Sequence, residues 1–267
     1  MAALPNRTLF KYSTLIIFAI SSAFVTLTTS AEELVFVNDS SSYCPYTLCE
    51  DGKEGYIIEV VKAIYRSEGY TVTIKNVPWN RAIAMVNAGT ANGILGIVKK
   101  DSPELVYPQT EVARYVPVVY SLVSNPWHYE GINSLRKIRL GLIQNYGDPD
   151  SFPELKAYLE DKSSQVSYVA TDNSLLHLFM MIEVKHIDAT IDDQRVGTYL
   201  LRKSGKEKLF KSESFNDLAG SGFVAFTSKN AKSQHLADLF DEGMAKLRKS
   251  GKLKSILTDY GIADWSK

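Results

Sequence analysis

Residues 34–46, LVFVNDSSSYCPY, decide the fold of this chain. The run 34–38 has the apolar pattern of a strand and leads into Tyr43-Cys44-Pro45-Tyr46. An amphipathic helix opens at 55–59, GYIIE, and a second strand ends at 77–79, VPW. Strand, helix and strand in this order bring aromatic side chains to the carboxyl ends of neighbouring parallel strands, where open α/β sheets bind ligands. The sequence therefore predicts a small-molecule cleft.

The same order of elements occurs twice along the chain. Gly93 to Val98 is an almost continuous apolar run, typical of a buried parallel strand, and it completes a βαβαβ order that restarts at Arg139. This repetition predicts an α/β fold with two lobes, each a mostly parallel sheet flanked by helices, joined by two hinge strands. The predicted strands are 34–38, 70–77, 93–98, 115–123, 139–143, 166–169, 189–191 and 222–226, and the predicted helices are 57–65, 81–87, a helix ending at 159, 175–183, 233–250 and 252–260.

The expected domain boundaries follow from the second βαβαβ order, which begins at Arg139, and from the β-rich stretches 115–123 and 222–226 on either side of it. Lobe 1 is expected to contain residues 31–118 plus 223–267, because the carboxyl-terminal helices return to it. Lobe 2 is expected to contain residues 119–222, and residues 1–30 precede both lobes.

Residues 1–30 have the features of a cleaved signal peptide. Arg7 and Lys11 form a positive start, residues 12–27 an apolar run, and residues 28–31 a small-residue cleavage site. An uncleaved membrane anchor is the alternative, but the apolar run is short for a bilayer and is interrupted by serine and threonine. We therefore expect a periplasmic mature chain.

Charge and composition narrow the possible partners. The chain has 30 basic and 30 acidic residues, and removal of Arg7 and Lys11 leaves 28 and 30, a formal charge of −2. This balance gives no electrostatic basis for nucleic acid or an anionic membrane as a partner. The histidines lack the spacing of metal ligands, so we expect no cofactor and no metal. Cys44 and Cys49 predict a disulfide that stiffens their loop, since the alternative, a metal site, lacks further ligands nearby.

The stretch from Leu34 to Trp79 and the later repeat resemble family 3 of the extracytoplasmic solute-binding proteins, which have the type II periplasmic binding protein fold. These two-lobed receptors deliver polar amino acids and similar solutes to ABC transporters. The resemblance implies that the rings of Tyr43 and Trp79 enclose the ligand, with a cation–π contribution if the ligand is cationic. Tyr46 is a further candidate, although a packing role is the alternative for it.

The segment after the third strand departs from the family pattern. The resemblance implies that backbone groups near Gly96 contact the ligand and that an arginine follows to hold a carboxylate. No arginine occurs in 99–104, KKDSPE, and Glu104 lies near its position. A carboxylate cannot replace a guanidinium in holding an anion. Either Arg81 or Lys99 is therefore expected to bind the anion, or the ligand has no carboxylate at this place.

Two further ligand positions are implied in lobe 2. A turn at Tyr146 and Gly147 matches the family's helix start that receives the ligand carboxylate through backbone N–H groups. Asp193 matches an aspartate that accepts hydrogen bonds from the ligand ammonium. A buried carboxylate needs such a partner to offset its desolvation, although an ion pair with Arg195 is the alternative.

These observations predict a monomeric receptor that closes on a small polar, amino-acid-like solute, cationic or zwitterionic, and presents it to the permease of an ABC transporter or to a sensor protein. The alternative is a periplasmic enzyme on the same scaffold, such as a cyclohexadienyl dehydratase, with Glu104 and Asp193 as acid–base groups. We favour the receptor, because the chain contains none of the common catalytic sequence motifs.

Overall fold

The chain is described from a computed structural model, which covers residues 1–2, 31–49, 52–144, 153–171, 173–215 and 220–265. It divides into two compact units, Met1–Ser30 and Ala31–Lys267. The predicted signal peptide falls in the first unit, of which all but two residues lie outside the described ranges.

The second unit contains ten strands and seven α-helices within the described residues. The strands are β1 Glu33–Asp39, β2 Thr71–Val77, β3 Gly93–Ile97, β4 Ala113–Tyr115, β5 Pro117–Leu122, β6 Leu140–Ile143, β7 Val166–Val169, β8 Ala189–Asp193, β9 Phe210–Ser214 and β10 Gly220–Phe226. The helices are α1 Tyr56–Ser67, α2 Trp79–Asn87, α3 Pro153–Glu160, α4 Ser174–Glu183, α5 Gln194–Lys203, α6 Ser233–Lys249 and α7 Lys252–Asp259.

Two five-stranded sheets organise these elements. The first has the order β2-β1-β3-β10-β4, with β1 parallel to β2 and β3 and with β10 antiparallel to its neighbours. The second has the order β7-β6-β8-β5-β9, with β6 parallel to β7 and β8 and with β5 antiparallel. Both are mixed sheets flanked by helices, so the predicted α/β fold class is confirmed.

The chain crosses between the sheets twice. Strand β4 ends at Tyr115 in the first sheet and β5 begins at Pro117 in the second, so a single residue, Val116, separates them. The return lies between β9 and β10. The prediction of one β-rich stretch over 115–123 was therefore too coarse, because this stretch forms two strands of different sheets. Strand β9 was missed, since its sequence FKSES has one apolar residue and occupies a sheet edge.

The apolar stripe predicted for the first helix forms its packing face. Ile57, Val60, Val61 and Ile64 are all buried. Helix α6 packs closely against this face at Gly243. A Cβ atom at that position would lie only 2.5 Å from a methyl group of Ile64, so only glycine fits there. On β1, neighbouring side chains enter different clusters: Phe36 joins the cluster with α1 and α6, and Val37 joins the cluster with α2. Both faces of the first sheet are therefore covered, which leaves its strand ends to form a site.

None of the described helices combines the length and apolar composition needed to cross a bilayer.

Candidate functional site

The loop between β1 and α1 is hydrogen-bonded to the start of α1. Cys44 and Cys49 form the predicted disulfide, and the Cys44–Pro45 peptide is cis. The backbone N–H of Tyr56 donates to the carbonyl of Pro45 at 3.0 Å, and that of the next residue donates to the carbonyl of Tyr46 at 3.1 Å. The first orphan N–H groups of α1 are thereby satisfied by the loop, which fixes the position of Tyr46.

Tyr46 lies at the centre of an aromatic cluster. Its side chain is fully buried and stacks on Tyr43 with ring centroids 5.3 Å apart. The rings of Tyr56 and Tyr115 are 5.5 and 5.1 Å from it. Burial raises the pKa of the Tyr46 hydroxyl far above its usual value, so it is a neutral hydrogen-bonding group.

The Tyr46 hydroxyl reaches the second sheet. It lies 3.0 Å from Oδ1 of Asp193 at the end of β8 and 3.1 Å from the carbonyl oxygen of Arg114 in β4. It also accepts a hydrogen bond from Nη1 of Arg195 at 3.2 Å. A residue of the loop between β1 and α1 thus contacts the end of a strand in the other sheet, close to the crossover at Val116.

Asp193 has its partners within the chain. Its Oδ1 accepts from the backbone N–H groups of Arg195 at 2.9 Å and Val196 at 3.2 Å, which caps α5, and its Oδ2 accepts from Val116 at 2.7 Å. Burial raises the pKa of this carboxyl, and these backbone hydrogen bonds and that of Tyr46 act in the opposite direction. The fold therefore supplies donors that offset the desolvation of Asp193 without a ligand, and contact of Asp193 with a ligand stays a prediction.

The backbone at Gly96, which was predicted to contact the ligand, is hydrogen-bonded to the side chain of Tyr115. Its hydroxyl donates to the carbonyl of Gly96 at 2.6 Å. Two glycines make room for it: Gly96 has φ +73, and a Cβ there would lie 2.7 Å from the Tyr115 hydroxyl, while a Cβ at Gly222 would lie 2.8 Å from its ring. Sequence reasoning missed Tyr115 as a site residue, although the two nearby glycines were a signal of close packing.

Arg195 and Trp265 adjoin this cluster and were not predicted as site residues. Nη1 of Arg195 donates to the carbonyl of Arg114 as well as to Tyr46, and its Cζ lies 5.9 Å from the ring centroid of Trp265. The Trp265 ring is in turn 6.0 Å from that of Tyr56. The position of Arg195, two residues after Asp193, was the signal available in the sequence.

The candidates that follow β3 lie in a different environment. Nζ of Lys99 lies 4.5 Å from the ring centroid of Phe223 and 5.6 Å from that of Tyr107. Glu104 is exposed, and its Oε1 accepts a hydrogen bond from the Ser102 hydroxyl at 2.9 Å. Hydrogen bonds from its own backbone N–H and from Ser102 lower the pKa of Glu104. Glu104 is thus stabilised as a carboxylate.

The remaining candidates are not brought into the cluster around Tyr46. Trp79 is half-buried against the apolar cluster under α2, and Arg81 is exposed on the same helix. No ring contact between Tyr43 and Trp79 occurs among the described residues, so the predicted enclosure of a ligand by these rings stays a prediction. Tyr146 and Gly147 lie outside the described ranges.

Two cavities lie away from the Tyr46 cluster. One of about 360 Å³ lies beside the disulfide loop, and one of about 440 Å³ lies beside α3. Their linings include Leu48, Lys53 and Ile74 for the first, and Asn133, Arg136 and Tyr158 for the second. Within the residues that the structure covers, no group of three His, Cys, Asp or Glu side chains is placed to hold a metal ion.

Two mixed α/β sheets joined by two crossings, with side chains from both meeting beside a crossing, define a two-lobed protein of the type II periplasmic binding protein fold. The chain belongs to the bacterial extracellular solute-binding proteins, family 3, whose sequence profile matches residues 35–263. The predicted membership of this family is confirmed.

Solved structures share the fold. A histidine kinase sensor domain with similarity to periplasmic binding proteins is 19% identical, with a TM-score of 0.69 over 86% of this chain and 96% of that one. The substrate-binding protein of an amino acid ABC transporter is 17% identical, with a TM-score of 0.64 over 86% and 99%. A substrate-binding protein of an ABC uptake transporter from Streptococcus pneumoniae, with bound histidine, is 16% identical, with a TM-score of 0.70 over 86% and 92%. No curated protein is similar enough in sequence to match the chain.

Proposed function

We propose that the mature chain is a periplasmic receptor that captures a small polar solute by closure of two lobes and presents it to the permease of an ABC transporter. The lobes are residues 31–118 plus 223–267 and residues 119–222, and residues 1–30 are removed as a signal peptide. The observation that carries the proposal is the contact of Tyr46 with Asp193, because it joins the loop that follows β1 of the first sheet to the end of β8 in the second sheet, beside a crossover. Hinge residues next to such a contact allow two rigid lobes to close on a solute.

The solute we propose is amino-acid-like and zwitterionic. The flat rings of Tyr43 and Trp79 offer apolar and cation–π contact to an ammonium group. A purely cationic solute is less well supported, because the acidic group expected to attract it, Asp193, already accepts four hydrogen bonds from the chain. Lys99 and Arg81 stay proposed anion-binding groups, together with the turn at Tyr146 and Gly147.

A sensor protein is the second candidate partner. The similarity to a histidine kinase sensor domain supports this alternative, since the same fold then serves signalling. Genetic loss of the receptor separates the two: a transporter partner predicts lost solute uptake, whereas a sensor partner predicts unchanged uptake and a lost transcriptional response.

We do not propose an enzyme. The two acid–base candidates are poorly suited to proton transfer, because Asp193 is fully hydrogen-bonded and Glu104 is an exposed carboxylate with a lowered pKa. The family is mainly one of binding proteins.

Mass spectrometry of small molecules released from the denatured, purified mature chain tests the receptor function, followed by calorimetric titration with each molecule found. Saturable binding at one site per chain, as a monomer, is the expected result. Turnover of prephenate without stable binding of any solute would favour the dehydratase instead.

A further inference from the structure

Three hydrogen-bond donors beside the contact of Tyr46 and Asp193 have unused capacity. The hydroxyl of Tyr56 and the indole nitrogen of Trp265 are both shielded from solvent and lack a partner among the residues described. Arg195 donates through its backbone N–H and Nη1, and its Nε and Nη2 make no hydrogen bond within the described ranges. A buried donor without an acceptor is costly, so the hydroxyl of Tyr56 and the indole N–H of Trp265 are available to donate to an acceptor.

These three side chains lie next to one another. The ring of Tyr56 is 6.0 Å from that of Trp265, and the guanidinium carbon of Arg195 is 5.9 Å from the Trp265 ring centroid. Tyr46 adjoins two of them, with its ring 5.5 Å from that of Tyr56 and its hydroxyl 3.2 Å from Nη1 of Arg195. The three side chains are therefore neighbours at the edge of the aromatic cluster.

The guanidinium of Arg195 has no direct ion pair among the described residues, and the Tyr46 hydroxyl lies between it and the carboxylate of Asp193. Arg195 is half-buried, and no carboxylate oxygen lies within 4.0 Å of its guanidinium in the part of the chain that the structure describes. By contrast, Arg136, Arg139 and Arg202 pair with Asp161, Asp188 and Glu207, respectively. A guanidinium withdrawn from water is stabilised by an anion, and its planar donors suit a carboxylate.

We propose that Arg195, Tyr56 and Trp265 bind a carboxylate of the solute, an inference that rests on the function proposed above. The guanidinium donates two hydrogen bonds to the carboxylate, and the phenol and the indole donate one each. The negative charge of Asp193 does not prevent this, because three backbone N–H groups and the Tyr46 hydroxyl already donate to it. In this proposal Arg195 replaces Lys99 and Arg81 as the group that binds the solute carboxylate, a role for which residues 99–104 offer no arginine.

Indole NMR of the mature chain tests the site directly. The chain has three tryptophans, so labelled protein gives three indole N–H signals, and Trp265→Phe assigns the one at the site. Acetate is the anionic probe and acetamide is its neutral control. We expect acetate to shift the Trp265 signal saturably and to leave those of Trp79 and Trp127 in place, and acetamide to shift none.

Two variants and a control identify the donors. Arg195→Gln should abolish the saturable shift, whereas Arg202→Gln, the same change on an exposed arginine of α5, should preserve it. Tyr56→Phe should weaken acetate binding about tenfold, the effect of one hydrogen bond to a charged group. Circular dichroism of each variant establishes that it is folded.

The outcomes separate this inference from the receptor function. If a solute found by mass spectrometry binds equally well to the wild type and to Arg195→Gln, the receptor stands and the carboxylate site is refuted. If acetate shifts the Trp265 signal but no solute binds, the carboxylate site stands and the receptor function fails. Equal movement of all three indole signals, or an unchanged Trp265 shift in Arg195→Gln, would overturn the inference.

Discussion

Two buried tyrosines of α1 allow the cost of an unpaired hydroxyl to be measured against a matched control. Tyr56 and Tyr65 are both fully buried, and each loses only its hydroxyl on replacement by phenylalanine. The hydroxyl of Tyr65 donates to the carbonyl of Leu236 in α6 at 2.8 Å, whereas that of Tyr56 has no partner among the described residues. The two substitutions therefore remove the same atom from similar surroundings and differ in one hydrogen bond.

The expected free energies of unfolding follow from this difference. Tyr65→Phe loses a buried hydrogen bond with a net value of about 1 kcal/mol and should lower the free energy of unfolding by that amount. Tyr56→Phe removes a hydroxyl that was desolvated without compensation, so it should leave stability unchanged or raise it by up to about 1 kcal/mol. The two variants should thus differ by about 1 to 2 kcal/mol.

Urea unfolding of the solute-free mature chain, followed by far-ultraviolet circular dichroism, measures both values. The comparison requires that the free energy of unfolding falls with urea concentration at a similar slope in both variants. Equal losses of stability in the two variants would refute the reasoning, because they would mean that the Tyr56 hydroxyl has an acceptor in the free protein. With saturating solute, Tyr56→Phe should instead lower the free energy of unfolding relative to the wild type, since the wild-type hydroxyl then donates to the proposed carboxylate.

Three further predictions concern other contacts. Asp193→Ala should lower the free energy of unfolding by about 3 kcal/mol in urea titrations, because it leaves the cap of α5 and the crossover N–H without an acceptor; an effect below about 1 kcal/mol would contradict this role. The hydrogen bonds from Arg139 lower the pKa of Asp188, so the stability that this pair contributes is present above the ordinary aspartate pKa near 4 and is lost as pH falls through the lowered value. Asp188→Asn should therefore show a shallower loss of melting temperature under acid than the wild type, and identical profiles would argue against the pair. Replacing Cys44 and Cys49 with serine should lower the free energy of unfolding by only about 2 kcal/mol, since the loop that they close is short. It should also weaken solute binding measured by calorimetry. Unchanged affinity would show that the disulfide does not position the loop that contains Tyr43 and Tyr46.

The fold followed from the sequence where periodicity was strong. The stripe of Ile57, Val60 and Ile64 predicted a helix packed on one face, and the apolar run from Gly93 predicted a buried parallel strand; both are present. Prediction was less accurate at the crossover, where one residue, Val116, separates strands of different sheets. Local pattern does not encode a change of sheet, because β4 pairs with β10 and β5 pairs with β8 and β9, which are all distant in the sequence.

The site was less predictable, because it depends on long-range contacts. The sequence indicated Tyr46 and Asp193 separately, but not that the hydroxyl of one lies against the carboxylate of the other across 147 positions of the chain. Nor did the sequence indicate that Asp193, expected to bind a ligand, also caps α5 and has partners within the chain. Trp265 lies far along the chain from both, and no spacing rule connects it with Arg195.

A crystal structure of the mature chain with its natural solute would show where the solute lies. We expect a single solute that contacts residues of both sheets, with its carboxylate at Arg195 and Tyr56 and the rest beside Tyr43. A solute bound only in the cavity beside α3, or in the one beside the disulfide loop, would contradict it.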